Sequence, residues 1–133
     1  MKTVLDTNVF ISGIFFAGPP SQILKAWRNQ SLQIVLSREI LDEYQRVAVA
    51  LSSKFPTIDI LPIIELVTIY GQFVDTQDFN ISVCEDPDDD KFLECAVAGQ
   101  CKIIISGDKH LLKLTGYEGI AILSARHFVN KYL

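Results

Sequence analysis

Thr3-Val4-Leu5-Asp6-Thr7-Asn8 begins as a β-prone apolar run and ends on a carboxylate inside a small polar turn. Late in the chain Ile104-Ile105-Ser106-Gly107-Asp108 has the same construction. Between these two segments, short apolar runs alternate with helical periodicities, the pattern of strand-helix-strand units around a mainly parallel sheet. In an open parallel sheet the carboxyl ends of the strands border one crevice, and ligands bind there. Asp6 and Asp108 are therefore expected to face a common edge.

The elements follow outward from the first strand. Residues 9–16 and then Pro19-Pro20-Ser21, leading into Ile23, Leu24 and Trp27, read as a pair of helices joined at Gly18. A second strand covers 32–36, and Ser37 caps a helix running to residue 52, in which Ile40, Tyr44, Val47 and Leu51 recur at three- and four-residue spacing. Phe55-Pro56-Thr57 breaks the chain before a helix over 61–72, with Pro62 in its first turn. Residues 77–84 are weakly patterned, a short strand or a loop. Glu85-Asp86-Pro87-Asp88-Asp89-Asp90-Lys91 precedes Phe92, Leu93, Ala96 and Val97 at helical spacing, so the acids open a helix. A strand over 102–105, a turn holding Leu111 and Leu112, a strand over 120–123 and a helix over 125–132 capped by Ser124 complete the order. With no repeat, low-complexity tract or linker, residues 1–133 form one domain.

Composition narrows the function. A chain of 133 residues, 49% hydrophobic and 21% charged, buries an adequate single core. No apolar run approaches the roughly 18 residues that span a bilayer, and the first acid comes too early for a signal peptide, so a cytoplasmic protein without a membrane segment is expected. Cys84, Cys95 and Cys101 form no C-x-x-C pair and read as free thiols, and His110 and His127 lack partners at ligand spacing. The formal net charge of −4 argues against holding nucleic acid by bulk positive potential. Residues 1–74 are balanced in charge, so residues 75–133 supply the whole acidic excess, half of whose acids fall between Glu85 and Asp90.

Asp90, in the first turn of its helix, can point into the edge shared by Asp6 and Asp108. Glu43 lies on the flank of the buried arc marked by Ile40, Tyr44, Val47 and Leu51, whereas Asp42 points away. Carboxylates converging without a nearby Arg or Lys repel one another unless hard cations bind among them, and oxygen ligands select Mg²⁺ or Mn²⁺. Each acid alone has a simpler reading. Asp6-Thr7-Asn8 makes an Asx turn, Asp88 to Asp90 and Asp108 cap helices, and Glu43 is a solvated helical residue. Their joint placement at strand ends and a helix start is what favours a site.

The segments Val4-Leu5-Asp6-Thr7-Asn8-Val9-Phe10-Ile11-Ser12-Gly13, Asp86-Pro87-Asp88-Asp89-Asp90-Lys91-Phe92-Leu93 and Ile105-Ser106-Gly107-Asp108-Lys109-His110-Leu111-Leu112, with the looser Ile40-Leu41-Asp42-Glu43-Tyr44, resemble the PIN-domain family. Within it the chain is similar to VapC-type toxin ribonucleases of toxin-antitoxin systems. The resemblance implies a three-layer α/β/α sandwich with the first strand central and a Mg²⁺- or Mn²⁺-dependent endoribonuclease. It puts Asp6, Glu43, Asp90 and Asp108 in the catalytic set, with Asp6, Asp90 and Asp108 as metal ligands, Glu43 as a further ligand or a water-positioning base, and Asn8 and Ser106 in support. Asp86, Asp88 and Asp89 crowd the third acid, and Asp86 is a further supporting candidate. An RNA substrate, a homodimer and a cognate antitoxin are the implied partners, with Lys25, Arg28, Arg38, Arg46, Lys109 and Lys113 as candidate phosphate contacts. A calcium loop starting at Asp86 fails, because Lys91 and Val97 stand where glycine and glutamate are needed. An aspartyl-nucleophile phosphatase fails at Asn8 and Leu112, where acids are needed. The remaining alternative is a PIN-like module that binds RNA or protein without cutting.

Overall fold

Val4 and Leu5 are wholly buried, as expected of a central strand whose sheet is covered by helices on both faces. In the computed structural model, which describes residues 1–133, β1 (Lys2–Leu5) pairs in parallel with β2 (Gln33–Leu36) on one side and with β4 (Ile103–Ile105) on the other. The edges are β3 (Gln72–Phe73) and β5 (Ala121–Leu123), giving the order β3-β2-β1-β4-β5 with every pair parallel. Leu5 stands opposite Ile105, so both strands end at the same level. A sheet covered on both faces needs near-continuous apolar strands. All three residues of β4 are buried accordingly.

The strand order reverses at β1, and the crossover connections carry helices to both faces. α1 (Thr7–Phe15) and α2 (Pro19–Arg28) join β1 to β2, and α3 (Arg38–Ser52) and α4 (Leu61–Tyr70) join β2 to β3. α5 (Asp90–Ala98) packs across β1, β2 and β4 on the return. α6 (Lys109–Leu112) and α7 (Ala125–Tyr132) flank β5. The result is the three-layer α/β/α sandwich with β1 central. Ser37 and Ser124 cap α3 and α7, accepting from the amides of Ile40 and His127. No helix is long and apolar enough to cross a membrane.

One local expectation is corrected. The helix expected over 61–72 ends at Tyr70, and Gln72–Phe73 turns into the edge strand β3. Of the two readings of residues 77–84, the structure has the loop. The helix stops because Gly71 swings to ψ 146° at a place where no side chain fits. A Cβ there would stand 2.5 Å from the Val67 carbonyl oxygen and 2.6 Å from Leu36 Cδ2. Gly71→Ala is therefore expected to destabilise the chain by about 1–3 kcal/mol through overpacking, read as a lower urea midpoint at unchanged slope.

One buried tyrosine ties the layers together at the functional end of the sheet. The Tyr44 hydroxyl donates to the Leu5 carbonyl at 2.6 Å, and its ring stacks on Phe10 with centroids 4.1 Å apart. α1 and α3 are thus both fastened to the last residue of β1.

Candidate active site

The sheet ladder continues one step past β1, with the Asp6 amide donating to the Ile105 carbonyl at 2.9 Å. The Asp6 carbonyl accepts from Val9 and Phe10, starting α1. Ser106, the first residue beyond β4, is fully buried and anchored through its amide to the Leu123 carbonyl at 2.9 Å. Its Oγ donates to Asp6 Oδ2 at 2.6 Å and accepts the Asp108 amide at 3.0 Å. A single serine therefore links the two acid-bearing turns, at the point where the strand order reverses. Asp108 Oδ1 in turn accepts the His110 amide at 2.9 Å, capping α6.

Glu43 approaches this edge from α3, next to the anchored Tyr44. Its side chain is 14% exposed, and Oε2 accepts from Thr7 Oγ1 while Oε1 lies 2.9 Å from Lys91 Nζ. Arg46 reaches the same oxygen more loosely, at 3.7 Å. Asp42 points outward and pairs with Arg38 at 3.2 Å. The expectation of carboxylates without a nearby cation is corrected by Lys91, a side chain only 9% exposed that also lies 3.2 Å from Asp88 Oδ1 and donates to the Asp88 carbonyl at 2.7 Å.

The acidic segment divides its labour. Asp86 Oδ1 accepts the Asp88 amide and caps a 3-10 turn over Pro87–Asp89. Asp88 is the exposed partner of Lys91. Asp90 is buried, and its Oδ1 accepts the amides of Val83 and Cys84 at 3.1 and 2.9 Å, holding the preceding loop on α5. Asp89 is half-buried, and burial together with the charges of Asp6, Asp86 and Asp108 pushes its carboxyl up to about 6. Burial likewise raises the Asp6 carboxyl, with Asp108 and Glu43 adding to the rise against the lowering bond from Ser106. The Cys84 thiol is pushed up to about 12, mainly by burial and then by Asp90, so it is no thiolate nucleophile near neutral pH. Asn8 is exposed on the first turn of α1. Thr7 and Lys91 are the two members of the site that spacing alone did not single out.

Negative charge is thus uncompensated at Asp6, Asp89 and Asp108 and neutralised at Glu43 and Asp88. The side chains form no group of three or more metal-ligating residues. The pair Asp6 and Asp108, tied through Ser106, nonetheless fits Mg²⁺ or Mn²⁺, since such ions keep several waters and take one or two carboxylates directly. A cavity of about 890 Å³ lies elsewhere, between α2, β2 and α4, lined by Trp27, Leu32, Leu66 and Tyr70.

The raised Asp89 carboxyl has a signed consequence. The folded chain keeps that proton up to about pH 6, whereas the unfolded chain loses it near the ordinary value of 3.8. This group's contribution to stability is therefore full below pH 3.8 and is lost as pH rises to about 6. Urea unfolding in EDTA across that window should show Asp89→Asn gaining stability relative to the parent as pH rises. A constant difference would remove the assigned environment.

A family model described as PIN domain matches residues 2–110, a span that contains Asp6, Glu43, Asp90 and Asp108. An uncharacterized protein of Methanocaldococcus jannaschii is 31% identical over 121 residues, covering 86% of this chain and 75% of that relative.

Proposed function

The chain belongs to the PIN domain family, and we propose that it is a Mg²⁺- or Mn²⁺-dependent endoribonuclease whose acidic edge hydrolyses RNA phosphodiester bonds. PIN domains have a nuclease-type fold and commonly use divalent metals. The observation that carries the reading is the Ser106 bridge, which holds Asp6 and Asp108 together at the strand-order reversal with their charge uncompensated.

Asp6 and Asp108 would hold the metal directly and Asp90 through a bound water, with Ser106 fixing the Asp6 carboxylate and Asn8 and Asp86 at the margins. When bound, the ion polarises the phosphate, eases deprotonation of water and stabilises the leaving oxygen. Glu43, held by Thr7 and Lys91, orients the attacking water and takes its proton as the new P–O bond forms and the bond to the leaving oxygen breaks. Arg46, exposed beside Glu43, is placed to meet a neighbouring phosphate.

The finer reading is a cytoplasmic toxin component that forms a homodimer and is silenced by a cognate antitoxin. What supports it is the resemblance of the three motif segments to VapC-type ribonucleases. An antitoxin Arg or Lys entering among Asp6, Asp89 and Asp108 would meet acids that lack a cation, so inhibition would be local electrostatics. End-labelled RNA and DNA of one sequence, incubated with the chain in Mn²⁺ and in EDTA, test the activity. Cleavage of RNA in Mn²⁺ alone is expected. RNA binding without cleavage in Mn²⁺ would make the chain a non-catalytic module instead.

A further inference from the structure

We propose that Lys91 is a built-in counter-charge standing where a second divalent cation would sit beside Glu43, so that the acidic edge holds one ion per chain. This inference rests on the metal-dependent reading of the same edge.

The geometry is one-sided. An ammonium has three donors, and Lys91 faces three acceptors: Glu43 Oε1, Asp88 Oδ1 and the Asp88 carbonyl. No donor is left over for a substrate phosphate. Each oxygen of Glu43 has one acceptor site taken, Oε1 by Lys91 and Oε2 by Thr7, which leaves room for a neutral water but sets an incoming cation against the ammonium. Lysine is rarely this buried unless paired, and here the pairing is with the only acids of the edge that are compensated. On the other side, Asp6 is met by the Ser106 hydroxyl and Asp108 by the His110 amide, with no cationic side chain on either.

Two-metal sites place their ions roughly 4 Å apart and need carboxylate oxygens for each. The second position would have to draw on Glu43, whose Oε1 already has an ammonium 2.9 Å away. A divalent ion bonded to that oxygen would stand within about 5 Å of the ammonium, and like charges that close disfavour each other. Lys91 directly follows Asp90, so the turn that brings Asp90 to the edge also delivers the ammonium. It is a positioning residue: it acts through Glu43 and sets the metal count.

Manganese titration of the full chain, followed by the electron paramagnetic resonance of free Mn²⁺ and by calorimetry, decides the matter. One ion per parent chain is expected, one with Lys91→Arg, and two with Lys91→Met, whose fold is checked by circular dichroism. Glu43→Gln provides a test independent of the folding of Lys91→Met. It should still bind one ion, within about threefold of the parent affinity, whereas losing a ligand's support costs roughly 10- to 100-fold. Two ions in the parent, an unchanged count in folded Lys91→Met, or a tenfold weakening in Glu43→Gln would overturn the proposal. Those results would leave the nuclease reading standing, since Asp6→Asn would still abolish binding. A parent chain that binds no Mn²⁺ would overturn both.

Discussion

Asp6→Asn should lower Mn²⁺-dependent RNA cleavage by about a hundredfold or more while leaving the metal-free chain at least as stable as the parent. The loss follows from removing a charged oxygen where the bound ion and the developing charge of the reaction are stabilised. The gain follows from the state of Asp6 in the fold. Burial, Asp108 and Glu43 raise its carboxyl above the ordinary range, so its ionised form is disfavoured in the folded chain relative to the unfolded one. An amide of the same shape removes that cost and still offers an oxygen to Ser106. Urea unfolding in EDTA beside a single-turnover cleavage assay separates the two effects. A purely structural Asp6 would give the reverse pattern: unaltered cleavage with reduced stability.

The second large effect lies one residue from Glu43. Tyr44→Ala should cost about 3–5 kcal/mol, because a fully buried ring stacked on Phe10 is replaced by a cavity. That is a large share of the roughly 5–15 kcal/mol that holds a domain folded. Tyr44→Phe keeps the stack and leaves the Leu5 carbonyl without its donor, at about 1–3 kcal/mol. Denaturant midpoints for the two variants should fall in that order. Equal midpoints would show that the ring contributes nothing beyond its hydroxyl.

What could be read from the sequence was what is decided locally. Ser37 and Ser124 announce their helices because a cap bonds an amide three residues on. The Asp6 and Asp108 turns announce strand ends because apolar runs stop there. β3 was unreadable: it is two residues long, and the reason α4 gives way to it is the approach of Leu36 and Val67 to Gly71. Lys91 was unreadable for the same kind of reason, since its principal partner lies on another helix. Among Asp88, Asp89 and Asp90 the difficulty is rotational. Successive residues of a helical turn point about 100° apart. The boundary between the 3-10 turn and α5 therefore decides that Asp88 meets Lys91, Asp89 lies in the field of Asp6 and Asp108, and Asp90 Oδ1 holds the 83–84 loop.

The most direct test is the position of the ion itself. Crystals of the chain grown in Mn²⁺ and measured for anomalous scattering should show one peak at the β1–β4 edge, within about 2.0–2.3 Å of carboxylate oxygens of Asp6 and Asp108. A peak bonded by neither aspartate, or an empty edge under Mn²⁺ concentrations that support RNA cleavage, would show that this edge is not the metal-holding site.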